Sequence, residues 1–225
     1  MHAERAAIDG NPFIGMFARC SDRFALIPRA APEKFAAKCR GALGVDVLEA
    51  GVAGSNLIGL FSAMNSNGLV LTGLAYREEA RELKRGLGMN VAMLKGKLTA
   101  VGNDVLANDR AALVDPAMSA ADARAVGDCL GVEVLKRDIA GLATVGSAAV
   151  VTNRGLLVHG EVDDEEMEEL EGIFGVKGSS GTANMGIPYV GLCVVANSNG
   201  YIFGERTSGF ELARIDEALG MIGRR

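Results

Sequence analysis

The sequence predicts an α/β fold in which one unit of about 44 residues is repeated five times and closes into a ring. Two series of glycines predict the repeat, because self-similarity at such a period is the signature of a repeat architecture. The first series follows a β-branched residue at spacings of 44, 43, 44 and 45: Gly15, Gly59, Gly102, Gly146 and Gly191. The second lies 29 residues after the first in every unit: Gly44, Gly88, Gly131, Gly175 and Gly220.

A β-hairpin is expected to open each unit. Six residues past the first glycine comes a turn signal of Ser, Asp, Asn, Thr or Gly, residue types that bond their own backbone or accept positive φ. Apolar runs flank each turn, as at residues 148–151 and 156–158. The five turn signals are Ser21-Asp22, Asn65-Ser66-Asn67-Gly68, Asn108-Asp109, Thr152-Asn153-Arg154-Gly155 and Asn197-Ser198-Asn199-Gly200.

An amphipathic helix is expected after the hairpin. Ser119, Asp163 and Ser208 are good N-caps, Ser208 and Glu211 form a capping box, and Pro32 suits a first turn. The second glycine of each unit is the helix stop. The predicted buried stripe is Ala36, Cys39, Leu43; Ala80, Leu83, Leu87; Ala123, Val126, Leu130; Met167, Leu170, Phe174; Leu212, Ile215, Leu219.

A last strand, such as residues 132–135, completes a unit, but the fifth unit lacks one. An N-terminal strand at residues 5–9 precedes the first hairpin without a helix of its own. Pairing it with unit five closes the ring and removes exposed sheet edges. We therefore expect a single domain over residues 1–225, with units at about 11–54, 55–97, 98–141, 142–186 and 187–225.

The composition is ordinary for a globular protein, with 49% hydrophobic and 23% charged residues. A net charge of −5 argues against a protein held mainly by nucleic-acid phosphates. No segment has the apolar length of a membrane span or the pattern of a secretion signal, so we expect no membrane contact and a cytoplasmic location. Between Glu161 and Glu171 lie eight acids, which predicts a solvated helix face turned away from RNA.

The repeat also predicts what the chemically reactive side chains do. Cys20, Cys39, Cys129 and Cys193 occupy packing or helix-flank positions without metal spacing, so buried free thiols are expected. His2 is expected in a frayed terminus. His159 closes a strand and is expected on the surface. We predict no catalytic residue, metal, cofactor or small-molecule substrate.

The residues just after the first glycines are expected at one end of the ring. Large apolar side chains together with Asn and Ser would form either a protein-binding patch or a cap on the core, and the sequence alone favours neither. These residues are Met16, Leu60, Asn103, Ser147 and Leu192.

These units resemble the archaeal and eukaryotic translation initiation factor 6 family, in its archaeal form. The matching segments span nearly the whole chain and are specific together. They are Gly10-Asn11-Pro12-Phe13-Ile14-Gly15, Gly54-Ser55-Asn56-Leu57-Ile58-Gly59, Asn65-Ser66-Asn67-Gly68-Leu69-Val70, Leu98-Thr99-Ala100-Val101-Gly102-Asn103, Leu106-Ala107-Asn108-Asp109, Val145-Gly146-Ser147-Ala148-Ala149-Val150-Val151-Thr152-Asn153 and Val195-Ala196-Asn197-Ser198-Asn199-Gly200.

The resemblance implies a pentein fold, a five-fold pseudosymmetric β/α propeller closed by the N-terminal strand. It also implies a monomer that binds the large (50S) ribosomal subunit and prevents joining of the small (30S) subunit. The implied docking site is an L14-type ribosomal protein, with L24-type protein and the sarcin–ricin loop nearby. Asn56, Leu60 and Asn103 match family positions near that contact. Ser147 and Leu192 extend the set by the repeat alone.

One segment departs from the family pattern. The family reads Gly-Thr-Val-Asn-Arg-Gly before the fifth hairpin, whereas residues 181–186 here carry Met185 in place of the arginine. A basic contact from that loop is therefore not expected.

Two other functions stay open from sequence. A pentein-fold guanidino-modifying enzyme would use Cys193, His159 and Asp104, the only trio available for that chemistry. A factor for assembly of the large subunit would use the same docking surface at an earlier stage.

Overall fold

The computed structural model describes residues 2–222, which form five three-stranded sheets. The inner strand of each sheet is Arg19–Cys20, Ser62–Met64, Val105–Ala107, Ala149–Val151 or Val194–Ala196. The middle strands are Phe24–Pro28, Gly68–Leu71, Ala111–Val114, Gly155–Val158 and Tyr201–Gly204. The third strands are Asp46–Ala50, Asn90–Met93, Glu133–Lys136, Lys177–Ser180 and, for the fifth sheet, Ala3–Ala6.

Every sheet has the same topology. The inner and middle strands form an antiparallel hairpin, and the third strand runs parallel to the middle one. A parallel return needs a crossover connection, which here is a helix on the outside of the sheet. The outer helices are Glu33–Leu43, Arg77–Leu87, Ala120–Leu130, Asp164–Phe174 and Gly209–Ala218.

The caps of the outer helices follow the sequence signals. Ser119, Asp163 and Ser208 each accept a hydrogen bond from a backbone amide in the first turn. Ser208 and Glu211 form the predicted capping box. Glycines with φ between +61° and +67° follow the helices, as the stop signal predicts. Pro32 differs slightly, because it lies at the N-cap rather than in the first turn.

Five short helical turns, which we call the axial turns, precede the inner strands. They are Ile14–Met16, Ile58–Phe61, Val101–Asp104, Val145–Ala148 and Val190–Cys193. Each axial turn contacts the turns of the two neighbouring units, and the fifth contacts the first. The inner strands contact one another in the same cyclic order. The predicted repeat of five α/β units is thus confirmed, and the units meet in a closed cycle.

Backbone contact between the glycines of the axial turns explains why no side chain is tolerated there. A Cβ at Gly59 would lie 1.9 Å from the Gly15 carbonyl oxygen, and one at Gly102 would lie 1.7 Å from that of Gly59. The relation continues through Gly146 and Gly191 and returns to Gly15, at 2.2, 2.0 and 2.1 Å. Each glycine therefore packs directly on the backbone of the preceding unit.

The N-terminal strand completes the fifth sheet. Ala3–Ala6 pairs in parallel with Tyr201–Gly204, so residues far apart in sequence supply one sheet. The strand lies earlier than the residues 5–9 expected from sequence. The reason is a tight turn in which Asp9 and Gly10 both have positive φ, closed by an isolated bridge between Ile8 and Asn11.

Apolar side chains fill the wedges between neighbouring units in five separate clusters. In one of them, residues of the first outer helix such as Phe35 and Leu43 pack with Val195 and Ile202 of unit five. The predicted helix stripe is buried or half-buried throughout. Among residues 2–222, none of the helices has the length and apolar character that crossing a bilayer requires.

The four cysteines are buried and unpaired, as the repeat predicts. The two histidines differ from expectation. His159 is only 6% exposed, because its ring packs edge-on against Tyr189 and its Nδ1 accepts the Glu161 amide. His2 is held by Asp216, whose Oδ1 lies 3.0 Å from its Nε2.

A candidate partner-binding surface at the glycine end of the ring

The two ends of the ring differ in what they present. The end formed by the axial turns, which we call the glycine end, also carries the N-termini of the outer helices. Two backbone hydrogen bonds show that the ends of the middle strands lie beside the axial turns. The amides of Thr72 and Asp115, just after their middle strands, donate to the backbone carbonyls of Phe61 and Asp104 in the axial turns. The opposite end, which we call the hairpin end, carries the hairpin turns and the helix C-termini.

The predicted contact residues lie at the glycine end, with unequal exposure. Met16, Leu60, Asn103 and Leu192 are half-buried on adjoining axial turns. Ser147 is 4% exposed, and its hydroxyl donates to the Thr144 carbonyl at 2.7 Å, so it offers little surface to a partner.

Asn56, unlike these residues, lies outside the axial turns. It lies on the connection that follows the isolated bridge between Val52 and Ser55, and it is exposed. The structure therefore brings four of the predicted residues together and puts Asn56 at their edge.

Exposed apolar side chains concentrate at the same end, a feature that the repeat pattern did not predict. Large apolar side chains left in water mark interaction sites when they share one face of a protein. Five of the six large exposed ones in residues 2–222 lie in loops or helix starts of the glycine end: Leu74, Tyr76, Met185, Tyr189 and Phe210.

A repeated device anchors the loops of this end. The carboxylate of Glu79, in the first turn of its helix, accepts the backbone amides of Ala53 and Gly54 at 2.8 and 2.9 Å. Ala53 has φ of 56°, a conformation that an L-residue adopts only when its surroundings hold it. Three other carboxylates accept the equivalent bond from the loop that ends the preceding unit: Asp122, Glu166 and Glu211.

In the fifth unit the hydrogen bonds to the anchoring carboxylate lower the pKa of that group, which belongs to Glu211. Burial pushes the pKa of Glu211 upward, but hydrogen bonds from Ser208, Gly186 and Thr182 outweigh it and hold the pKa below its usual value. Glu211 thus fixes the loop that exposes Met185, through the Met185 amide at 3.2 Å and the Gly186 amide at 2.8 Å.

One charged side chain on the ring axis was missed from sequence. Arg19 begins the first inner strand, and its Nη2 donates to the carbonyl of Gly59 and, at 3.2 Å, to that of Gly102. Its Nε is buried without a partner. Burial lowers the pKa of the guanidinium to about 10, so it stays charged at neutral pH. The signal was available, since the equivalent residues are all apolar: Ala63, Leu106, Val150 and Val195.

A buried carboxyl lies beneath the axial turn of unit three. Asp104 is 4% exposed, and its Oδ2 has no hydrogen-bond partner in the described chain. Burial, together with a smaller contribution from the nearby charge of Asp115, raises its pKa to about 6.

The trio considered for guanidino chemistry is not arranged as a catalytic site. Cys193 is fully buried, and burial raises the pKa of its thiol to about 12, which opposes formation of the reactive thiolate. Within residues 2–222 no hydrogen bond or ion pair joins Cys193, His159 and Asp104 to one another. No group of three or more potential metal ligands is found in that part of the chain either.

The ring axis holds only a small cavity. It measures about 50 Å³ and is lined mostly by apolar residues of the inner strands, with Arg19 at the glycine end. Such a space holds a few water molecules. The axis of the ring is therefore too narrow for a substrate-sized molecule.

Comparison with solved structures gives distant likenesses, one of which is to an enzyme. A dimethylarginine dimethylaminohydrolase, as its adduct with 4-chloro-2-hydroxymethylpyridine, aligns with a TM-score of 0.39 at 14% sequence identity. The alignment covers 72% of this chain and 75% of that one. At this TM-score the likeness carries no conclusion for this chain.

Comparison with known families and sequences is decisive. The model of the eIF-6 family matches residues 3–218. A protein named Translation initiation factor 6 from Pyrococcus horikoshii is 44% identical over 227 residues, covering 99% of this chain and 100% of its own. One of the same name from Thermoplasma acidophilum is 42% identical, covering 92% and 94%. The chain therefore belongs to the eIF-6 family of translation initiation factors.

Proposed function

We propose that this protein binds the large (50S) ribosomal subunit through the glycine end of its ring and thereby prevents association with the small (30S) subunit. The mechanism is steric: a rigid body on the inter-subunit surface excludes the other subunit. A stable contact of this kind buries on the order of 1,200–2,000 Å². The proposal needs no bond-making step, cofactor or nucleotide, and it places the protein in the cytoplasm as a monomer.

The observation that carries this proposal is the concentration of exposed apolar side chains at the glycine end. Tyr76 is 59% exposed, Met185 75% and Phe210 78%, although each belongs to a loop or helix start that is otherwise well anchored. Aromatic residues and methionine are enriched in protein interfaces. The half-buried Leu60 and Asn103 lie on axial turns at the same end. This supports an L14-type ribosomal protein as the main contact.

The exposed charged residues around the glycine end, which we call its rim, support one orientation of the protein on the subunit. Beside unit two, Arg77, Lys95 and Lys97 are exposed at the glycine end. Beside unit four, the exposed residues at the start of the outer helix are all acidic: Glu161, Asp163, Asp164 and Glu165. RNA phosphates attract the basic part of the rim beside unit two and repel the acidic part beside unit four. We therefore orient the sarcin–ricin loop toward unit two, with L24-type protein nearby and unit four directed away from RNA.

We also infer that the five units form the pentein propeller implied by the family resemblance. The support is the cyclic approach of the five glycines and the cyclic contacts of the axial turns. A role in maturation of the large subunit would use the same surface. Comparison of affinities for mature subunits and for their precursors separates that role from initiation.

The experiment that tests the proposed function uses a matched pair of substitutions. Asn103→Phe puts a bulky ring in the middle of the glycine end, whereas Asn90→Phe makes the same change at an exposed position of the hairpin end. We expect Asn103→Phe to weaken binding to purified large subunits by about tenfold or more, as a clash near the centre of an interface does. Thermal unfolding should change little in either variant.

Two readouts decide the outcome. Sedimentation gradients at near-physiological salt measure binding to large subunits, and the same gradients with small subunits measure joining. Saturating wild-type protein that leaves subunit joining unchanged would contradict the proposed function. Equal weakening by Asn103→Phe and Asn90→Phe would contradict the assignment of the glycine end.

A further inference from the structure

A lone, half-buried cation lies at the centre of the glycine end. Arg19 is the one charged residue among five equivalent positions of the inner strands, and its guanidinium bonds to backbone carbonyls of units two and three. A buried charge is costly when it is not fully paired, and the Nε of Arg19 is buried without a partner. An apolar residue, as in the other four units, would fill this place without that cost.

The two carbonyls that Arg19 binds have a specific position. The Gly59 carbonyl belongs to the peptide bond that leads into Leu60, and the Gly102 carbonyl belongs to the one that leads into Asn103. A donor shared by both carbonyls fixes the planes of these two peptide groups relative to each other. Leu60 and Asn103 are the half-buried residues that the proposed contact uses most directly.

We propose that Arg19 is a positioning residue of the partner-binding surface, one that orients the axial turns of units two and three from inside the ring. This inference rests on the proposed function. Arg19 does not itself reach the partner; it acts through the backbone of Gly59 and Gly102. Its contribution is pre-organisation, which lowers the conformational cost of binding.

A pair of volume-matched substitutions tests the proposal. Arg19→Met removes the donor shared by the two carbonyls and leaves an apolar side chain, as at the other inner strands. Leu106→Met makes a volume-conserving change at the equivalent position of unit three without loss of a donor. We expect Arg19→Met to weaken binding to purified large subunits by about tenfold, with the control unchanged, because the loss of pre-organisation acts on affinity.

Stability separates positioning from a merely structural role. Replacement of a buried, incompletely paired charge by an apolar side chain is often neutral or stabilising. Loss of the hydrogen bonds to the Gly59 and Gly102 carbonyls acts in the opposite direction. The unfolding temperature of Arg19→Met should therefore change little while binding falls. Arg19→Lys keeps a donor for the carbonyls and should recover part of the affinity. Amide NMR shifts of Leu60 and Asn103 should move in Arg19→Met, while those of Asp109 at the hairpin end should not.

The outcomes discriminate between the two proposals. If wild-type protein binds large subunits and Arg19→Met binds equally well, Arg19 has no positioning role but the proposed function stands. A fall in unfolding temperature that matches the loss of binding makes Arg19 structural and also overturns the inference. If wild-type protein itself does not bind, the proposed function fails, and the inference fails with it.

Discussion

At the scale of single residues, the buried carboxyl of Asp104 shows how one side chain departs from its repeat. The equivalent positions hold Phe17, Phe61, Ala148 and Cys193, all apolar. Asp104 is buried among such surroundings with one oxygen unpartnered, so its ionised form is disfavoured in the folded state.

The first prediction follows from the raised pKa of Asp104, about 6 against 3.8 for the unfolded chain. Below the lower value the carboxyl is protonated in both states, and stability is lost as pH rises toward and through the higher one. The side chain of the Asp104→Asn variant cannot ionise. When the pH is raised from 4 to 7.5, the free energy of unfolding should therefore fall by up to about 3 kcal/mol less in this variant than in wild type. Chemical denaturation at both pH values measures this.

The control for this prediction is Asp128→Asn, on the exposed face of an outer helix. Its dependence of stability on pH should follow that of wild type. If Asp104→Asn also follows wild type across the range, then Asp104 ionises in the folded state as easily as in the unfolded one.

At the scale of elements, the hairpin turns join each unit to the next. We call the boundary between two neighbouring units a seam. The Oδ1 of Asn108 accepts the Ala111 amide within its own turn. Its Nδ2 donates across the seam to the carbonyls of Thr152 and Phe174 at 3.2 and 3.0 Å. Asn65 and Asn197 make the equivalent bonds at two other seams.

The remaining two seams lack an asparagine and use an arginine instead. Ser21 and Thr152 occupy the asparagine position, and both are too short to cross the seam. Arg23 bonds the Ser66 carbonyl at 3.1 Å, and Arg154 bonds that of Gly220 at 3.2 Å. Every seam therefore carries a side chain that satisfies a carbonyl of the next unit.

The next prediction is the effect of Asn108→Thr. The structure of the fourth unit shows that threonine supports this turn, since Thr152 accepts the Arg154 and Gly155 amides at 3.1 Å. Only the two bonds across the seam are lost, which leaves buried carbonyls unpaired and should cost about 1–3 kcal/mol. Urea denaturation measures the loss; Thr152→Asn, the reverse change, should not destabilise. A neutral Asn108→Thr would mean that the apolar wedges alone hold the seams.

Much of each element was predictable from sequence, and the misses have physical causes. The helix caps Ser119, Asp163 and Ser208 were identified because capping is a local interaction of a few residues. His159 was placed on the surface because its counterparts are mixed; a contact with Tyr189 of the next unit buries it instead. Arg19 was missed because its partners lie 40 and 83 residues away.

At the scale of the whole molecule, closure depends on a short strand. Ala3–Ala6 covers the edge of Tyr201–Gly204 with four paired residues, and Ile8 and Ala6 join the apolar wedge between units five and one. An uncovered strand edge is a template for pairing with another chain.

The prediction at this scale concerns removal of residues 1–6. The variant should lose about 2–4 kcal/mol, as expected from the uncovered ladder and the buried alanine and wedge contacts that go with it. It should also self-associate through the exposed edge. Calorimetry and sedimentation velocity measure the two effects. Glu4→Gln, which keeps the strand, should behave as wild type; a truncated chain that stays equally stable would show that the strand is not needed for closure.

The invariant 29-residue distance between the two glycines has a consequence for how such proteins can vary in length. The segment from Gly15 to Gly44 is constrained at both ends, and so are its four equivalents. At its start the glycine packs on the backbone of the neighbouring axial turn, and at its end the glycine with positive φ stops the outer helix. Every insertion or deletion has fallen in the connection from helix stop to axial turn. The turn at residues 183–187 is one residue longer than that at residues 52–55, which accounts for the spacing of 45. The connection at residues 88–102 is one residue shorter and has no such bridge in the described chain, which accounts for 43. These connections reach the glycine end, so changes in chain length alter the docking rim and leave the axis untouched.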